Sequence, residues 1–379
     1  MANFAGFKNN TAVDRGSDSS QTPYLLTRFL NDLTGESSPD GAVESALGDL
    51  VESFEERDEE PRPFLSILMR TRGARLEPFR DALLCLSAQT DRDFEVFVLV
   101  HDASQEAHTA VAKAVAAQQS NFRDSIQVVE VRGGSRGTPL NAGLRLARGR
   151  FVAVYDDDDL VFAHWVEEFH RSSVQSGGRL LRAVTAVQSL SPETWPRGHS
   201  GFRTSSWPAA EHDAEFNLVE HFRVNQTPFM SFAFPSSIFS RLGLAFDEEL
   251  DVCEDWDMIL RAALLCGVAD VPALTAIYRR WVTGNSSYLD HSTGVWAKSE
   301  ARVFHKVDSR PVLLPPGSIE IIRALMVDQE DYRRILQSRG WKLSQPLMRS
   351  IRVAARIRNS LRATRQRVRR RFAPKGATR

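Results

Sequence analysis

The sequence predicts an α/β protein built on a doubly wound, mostly parallel sheet flanked by helices. Three observations point there. From Phe64 onward, short apolar runs alternate with segments whose apolar residues recur at helical spacing. One run, Phe94–Val100, is apolar almost throughout, as strands covered on both faces are. The fourth run ends in four consecutive aspartates, at the strand end where such sheets bind ligands.

The elements follow in order. Residues 1–40 are rich in Ser, Asn, Asp and Gly and are expected to be mobile. Val43, Leu47, Leu50, Val51 and Phe54 predict one short amphipathic helix. The acidic stretch Glu55–Glu60 then runs into Pro61 and Pro63, which marks a boundary. Phe64–Met69 reads as the first strand and Leu76–Gln89 as the first helix of the sheet domain. Phe94–Val100 is the second strand, Ala107–Gln118 the second helix and Ile126–Val131 the third strand. Thr138–Arg148 reads as a helix with Thr138 as N-cap, Pro139 at its first position and Gly149 just beyond its end. Phe151–Tyr155 is the fourth strand, with a helix over Phe162–His170 after it. Residues 180–285 are less regular, and Trp195, Pro196, Trp207 and Pro208 mark a long loop region. Asp255–Cys266 is a clear helix, with Gly267 able to cap it.

Composition narrows the class. Hydrophobic residues make up 42% and charged residues 25% of the 379, as in soluble globular proteins. That excludes collagenous, fully disordered and disulfide-scaffold chains. No apolar run approaches a membrane span, and no signal-peptide core is seen at the start. Cys85, Cys253 and Cys266 are far apart in sequence, which suits buried thiols in a reducing cytoplasm better than bridges or zinc. The formal net charge of zero hides a split. Beyond Asp331 there are 16 Lys+Arg and no Asp or Glu, which leaves 32 of the 48 basic residues against all 48 acidic ones in the body. Arg outnumbers Lys 42 to 6, a skew that genome composition alone can produce.

Two acidic clusters carry chemistry. Asp156-Asp157-Asp158-Asp159 follows a buried strand directly. Four adjacent carboxylates repel one another, and a Mg²⁺ or Mn²⁺ ion, which favours oxygen ligands, relieves that. The alternative is an acidic turn that caps the next helix; placement on the fourth strand favours the cation. Cys253-Glu254-Asp255-Trp256-Asp257 opens a helix. A carboxylate there can be aimed by the helix, or can simply complement the positive helix end.

Together these clusters match a known pattern. The chain from Phe64 to about Ser287, roughly 220 of 379 residues, resembles the family 2 glycosyltransferases of the GT-A fold. Leu65–Thr71, Leu86-Ser87-Ala88-Gln89-Thr90, Phe94-Glu95-Val96 and His101-Asp102-Ala103-Ser104 carry the first part. Asn141-Ala142-Gly143-Leu144, Ala147-Arg148-Gly149 and Tyr155–Asp159 are the most specific, and Glu254-Asp255-Trp256-Asp257 follows at the expected distance. The resemblance implies that Thr71 and Asp102 contact the nucleotide base and ribose, with Asn141 in the same donor-binding set. Asp156 and Asp158 match the D-x-D pair: Asp156 approaches the donor's ribose or sugar, and Asp158 binds the divalent metal with Asp156 beside it. Asp255 matches the catalytic base, and Glu254 and Trp256 fall on the acceptor side.

Elementary chemistry agrees with those roles. A divalent cation neutralises the charge developing on a departing nucleoside diphosphate. A carboxylate that takes the acceptor's proton contributes about 10²–10⁴-fold. A single in-line displacement inverts the anomeric centre. The chain departs from the family in places. Arg70 stands where Pro is commoner, His101 where Asp is, Leu140 where Arg is, and Trp281 where many members carry a metal-binding His. That histidine ligand is therefore not expected, and His291 reads as a lone surface residue.

The aromatics Trp195, Phe202, Trp207, Phe216, Phe222, Phe229, Phe232 and Phe234 lie in the acceptor-building region. Most are expected in the core, with some able to line the cleft. The tail, with Arg349 to Arg379 and interspersed Ile351, Ile357, Leu361 and Val368, reads as a solvated helix or as a surface for anionic lipid. Nucleic acid is the weaker reading.

The expectation is thus a metal-dependent inverting glycosyltransferase, cytoplasmic and peripheral to the inner membrane face. It takes a nucleotide-diphosphate sugar, with Mn²⁺ or Mg²⁺, and a glycan, polysaccharide or lipid-linked acceptor. Its parts are an extension over 1–60, a GT-A domain over 61–310 (donor half 61–160, acceptor half 161–310) and a helical, Arg-rich region over 311–379. A sugar nucleotidyltransferase is the enzymatic rival, but Arg70–Ala74 is poor in the glycines its phosphate loop needs. A non-catalytic GT-A-like binding module is the other rival, against which the joint presence of Asp156, Asp158 and Asp255 speaks.

Overall fold

The structure, a computed structural model, describes residues 21–34, 62–194, 200–225, 227–283, 291–338 and 341. The chain forms two compact units that divide after Pro315. In the first, α1 (Tyr24–Thr34) precedes β1 (Leu65–Thr71), α2 (Leu76–Ser87), β2 (Phe94–His101), α3 (Gln105–Ala116), β3 (Ile126–Val131), α4 (Gly137–Leu144) and β4 (Phe151–Asp156). There follow β5 (Leu160–Val161), α5 (Trp165–Ser173), β6 (Leu180–Thr194), β7 (Ser200–Thr204), β8 (Phe232–Pro235), α6 (Glu254–Cys266), β9 (Val268–Trp281) and α7 (Thr293–Asp308). The second unit holds α8 (Ser318–Gln337).

The sheet runs β3-β2-β1-β4-β8-β6-β9-β5, with β7 paired to β6. β3, β2, β1 and β4 are mutually parallel, as predicted. β8 is antiparallel to both β4 and β6, and β6 and β9 pair in parallel over most of their length. Alternate side chains of the central strands feed two cores, the expected result of a period of two. Ile67, Met69, Val98 and Tyr155 pack with Phe79 and Leu83 of α2 and Trp165 and Phe169 of α5. Leu68, Leu99, Val152 and Val154 pack with Leu140 of α4 and Ile259 and Ala263 of α6.

Several expectations are corrected here. α4 begins at Gly137, so Thr138 lies inside its first turn and is not the N-cap. Its hydroxyl accepts from Ser135 N at 3.0 Å and donates to Glu248 at 2.8 Å. α4 also ends at Leu144, before Gly149. Gly149 is needed instead for close approach: a Cβ there would lie 2.5 Å from the Ser66 backbone nitrogen. The region 180–285 contains two long strands rather than mainly loop. Their residues do not alternate cleanly because both faces are partly covered. The segment expected to be mobile is ordered over residues 21–34. Leu25 and Leu30 are buried, Gln21 donates to Arg150 O at 2.7 Å, and Arg179 stacks on Tyr24 at 3.4 Å. The helix expected around 43–54, Trp195 and nearly all of the basic tail lie outside the described residues.

Candidate active site

The site forms where β1, β2 and β4 end and the first turn of α6 comes across from the second core. β4 ends at Asp156, and the turn that follows it carries Asp157 and Asp158 and leads to Asp159. Asp157 and Asp159 point inward and are buried. Asp157 accepts from the Thr71 hydroxyl and from Arg75 Nη2 at 3.2 Å. Asp159 accepts from the Arg279 backbone N–H at 2.7 Å, while the Tyr155 hydroxyl donates to its carbonyl at 2.8 Å. These two carboxylates build the strand end. Asp156 and Asp158 are the more open pair, their side chains 31% and 13% exposed. Asp156 accepts from Arg70 Nη2 at 3.0 Å. Asp158 accepts from Trp281 Nε1 at 2.7 Å and pairs with Arg75 Nη1.

Crowding sets the electrostatics. Burial, then the neighbouring Asp158 charge, pushes the Asp157 carboxyl up to about 7. Burial also raises Asp158, against the pull of Arg75, and lifts Asp159 well above the usual carboxylate range. Burial leads in each case, so these carboxyls favour the protonated form unless positive charge is brought to them. The open carboxylates of Asp156 and Asp158 are hard oxygen donors of the kind Mg²⁺ and Mn²⁺ prefer. No group of three His, Cys, Asp or Glu side chains among the described residues is placed to hold an ion. Asp156 and Asp158 would supply a cation with one or two carboxylates only, so phosphate and water would have to complete its shell.

Arg70 joins the two halves of the cleft. Its buried guanidinium donates to Asp156 on one side and, on the other, to Glu254 Oε1 at 2.8 Å and the Arg136 carbonyl at 3.1 Å. Burial opposes the Arg70 charge, but Asp156 and Glu254 outweigh it and raise the arginine further. Arg136 Nε also donates to Glu254 at 2.8 Å. Between the two arginines, and despite burial, the Glu254 carboxyl falls to about 2.

Asp255 is the next residue, and its environment is opposite. The chain enters α6 through Cys253 in the left-handed region (φ 67°), which sets the angle of the first turn. Burial and then the Glu254 charge raise the Asp255 carboxyl to about 6. Two donors hold its oxygens: Trp256 N at 2.7 Å and Asn225 Nδ2 at 2.9 Å. Asp257 points elsewhere, buried in ion pairs with Arg261 at 2.6 Å and Lys306 at 2.8 Å.

The structure brings together Thr71, Asp156, Asp158 and Glu254 of the expected set, linked through Arg70 and Arg75, with Asp255 adjoining Glu254. Thr71 is buried and shapes the loop, since its oxygen also accepts from Gly73 N at 2.9 Å. Asp102, left-handed at φ 47°, accepts from Gly133 N at 2.7 Å and ties the ends of β2 and β3 together. Two further residues of the expected set are held by packing. Asn141 is buried and fully engaged as a clamp on residues 246–248, accepting from Phe246 N at 2.8 Å and donating to Phe246 O and Glu248. Trp256 is a core residue, its indole N–H donating to His221 O at 2.8 Å and its ring edge-on to Phe304. Both are helix residues whose faces the packing of α4 and α6 decides.

Among the aromatics, Phe229, Phe232 and Phe234 are buried in the second core, whereas Trp207 is 89% exposed. Phe202 meets Trp281 edge-on at 5.9 Å, and Arg279 lies over it at 5.1 Å. Sequence reasoning missed Arg75, Arg136 and Asn225. Arg70 and Trp281 were visible only as departures from a pattern.

Residues 66–203 match the family model described as Glycosyl transferase family 2. A search of the curated proteins gives no match. Among solved structures, the chain is similar to S. aureus TarS 1-349 in complex with UDP-GlcNAc, at 17% identity over 60% of this chain and 61% of that one, TM-score 0.44. The chain thus spans about three fifths of that relative's length. It is also similar to mannosyltransferase PcManGT from Pyrobaculum calidifontis in complex with GDP-Man and Mn²⁺, at 17% identity over 77% and 79%, TM-score 0.47. The match to the glycosyl transferase family 2 model starts inside β1, runs past the strand-end aspartates and ends in β7.

Proposed function

We propose that this chain transfers a sugar from a nucleotide-diphosphate sugar to a hydroxyl of a glycan, polysaccharide or glycolipid, with inversion and with help from a divalent cation. The observation that carries the reading is the placement of Asp255. Its carboxyl is raised to about 6 and held by two hydrogen bonds, and its neighbour Glu254 is tied through Arg70 to the strand-end Asp156.

The residues divide the work. Asp255 is ionised at neutral pH yet basic enough to accept a proton, the compromise general-base catalysis needs. Asn225 and the Trp256 N–H fix its two oxygens. Glu254, held fully ionised by Arg70 and Arg136, keeps a negative charge beside Asp255 and so sustains its basicity. Asp102, exposed at the end of β2, is the contact for the nucleotide, and Thr71 holds the loop around it. Asp158, with Asp156 beside it, would hold Mn²⁺ or Mg²⁺, which when bound supplies positive charge for the departing diphosphate. Arg75, already at Asp158, brings a second positive group to the same corner.

The test is a screen of nucleotide sugars with and without Mn²⁺, read as thermal stabilisation and donor hydrolysis. The reading expects one nucleotide class to stabilise the protein only with the metal present. Stabilisation by none of them, in either condition, would refute it.

A further inference from the structure

α8 buries no hydrophobic face. Ile319, Ile322 and Met326 follow at steps of three and four residues, and Ile321, Leu325 and Tyr332 run beside them at steps of four and seven. Helical geometry gathers these onto one side, with Gln329 and Arg333 among them, while Glu320, Arg323, Asp331 and Arg334 take the other with Val327. Ile319, Met326 and Tyr332 are 62%, 64% and 60% exposed, far more than a soluble surface gives to large apolar side chains in a row. The sequence beyond α8 is as one-sided in charge as α8 is in hydrophobicity: residues 342–379 hold 13 Lys+Arg and no Asp or Glu.

We propose that the exposed apolar face of α8 docks on an anionic phospholipid bilayer, to which the positive charge of the sequence after it also draws the chain. The apolar face of α8 enters the boundary between headgroups and acyl chains, and the arginines meet the lipid phosphates. α8 is too polar to span: no described helix is long and apolar enough to cross a membrane. It suits an in-plane position, its 20 residues reaching about 30 Å at 1.5 Å per residue. Charge selects the bilayer over a second copy of the chain. Pairing two α8 helices would bring two uncompensated basic segments together, whereas an anionic bilayer attracts the basic segment and takes up the apolar face of α8. Stable peripheral binding needs two signals, and this region supplies an apolar one and an electrostatic one. The inference does not depend on the chemistry of the cleft.

Sedimentation of the full chain with vesicles tests it, using phosphatidylcholine alone and phosphatidylcholine mixed with phosphatidylserine. The protein should pellet with the anionic vesicles at low salt, stay in solution with the neutral ones, and be released as salt screens the attraction. The double variant L325E/M326E changes only exposed side chains, so its fold is kept, as its far-UV circular dichroism will report. It should lose at least about tenfold in vesicle affinity. Replacing Arg365, Arg367, Arg369, Arg370 and Arg371 by Gln should also weaken binding and remove its salt dependence. Full-length protein that ignores anionic vesicles at low salt overturns the proposal. So does an L325E/M326E protein that binds as well as the parent. A dimer that L325E/M326E dissociates, with neither protein binding vesicles, gives the face to a second copy and overturns it too.

Discussion

Asp255→Asn keeps the shape of the side chain and removes its basicity. The Asp255 carboxyl lies at about 6, so at pH 7 roughly nine in ten molecules carry it ionised. Catalysis by the parent enzyme should therefore fall along an acid limb centred near pH 6. The amide variant should lose about 10²–10⁴-fold in kcat, while nucleotide affinity is kept. Asn225→Ala refines the test. It deletes one of the two hydrogen bonds that favour the ionised carboxylate. A hydrogen bond to a charged group is worth about 1.5–3 kcal/mol, discounted here because Asp255 is only half-buried and water can replace the amide. Losing it favours the protonated form, so the limb should move up by about one pH unit. Asn225→Ala should look about twofold slower at pH 7, about fivefold slower at pH 6, and recover at pH 8.5, whereas Asp255→Asn recovers nowhere. Profiles of kcat and kcat/KM against pH separate the two. A near-normal rate for Asp255→Asn refutes the assignment of the base. An Asn225→Ala protein slowed equally at every pH refutes the positioning role and leaves the base in place.

Asp158→Asn should abolish Mn²⁺-dependent binding of a nucleoside diphosphate with the fold intact; equal affinity in calorimetry with and without EDTA would count against Asp158 as the ligand. Arg70→Met leaves Asp156 and Glu254 without their shared partner; because Arg136 still pairs with Glu254 and Asp156 is partly exposed, it should cost about 1–3 kcal/mol in a denaturant titration. A loss under 1 kcal/mol would mean water replaces the guanidinium readily. His221 is buried, both ring nitrogens lack partners, and burial followed by the Arg182 charge pushes it down to about 3. The unfolded chain takes up this proton near pH 6.5 and the folded one does not, so stability should be full above that pH and decline as the pH falls toward 3. His221→Phe should flatten that decline in thermal melts, and an unchanged slope would point to other groups.

Local pattern determined the parallel half of this protein. Strands β1 to β4 and helices α2 and α3 could be placed within a few residues because a strand or helix announces itself by the period of its apolar side chains. The two acidic clusters were legible for the same reason: four carboxylates in a row, or two at a helix start, are unusual wherever they stand. Period says nothing about which distant groups meet. Arg75 reaches Asp157 and Asp158 across more than 80 residues of sequence, Arg70 reaches Glu254 across 184, and Asn225 sits 30 residues before the carboxylate it holds. Only the packing of α6 in the second core decided that Asp255 stays half-buried beside Glu254 while Asp257 and Trp256 are buried, and only tertiary contacts made Asn141 a clamp on residues 246–248. The residues of β6 and β9 were hidden by being covered unevenly on both sides, which erases the alternation that marks a strand. α1 was legible in Leu25, Leu26, Phe29 and Leu30 and was lost only because the polar composition of residues 1–40 was averaged over it, whereas Gln21 was not legible, since its partners Arg150, Ser236 and Ser237 come from far along the chain.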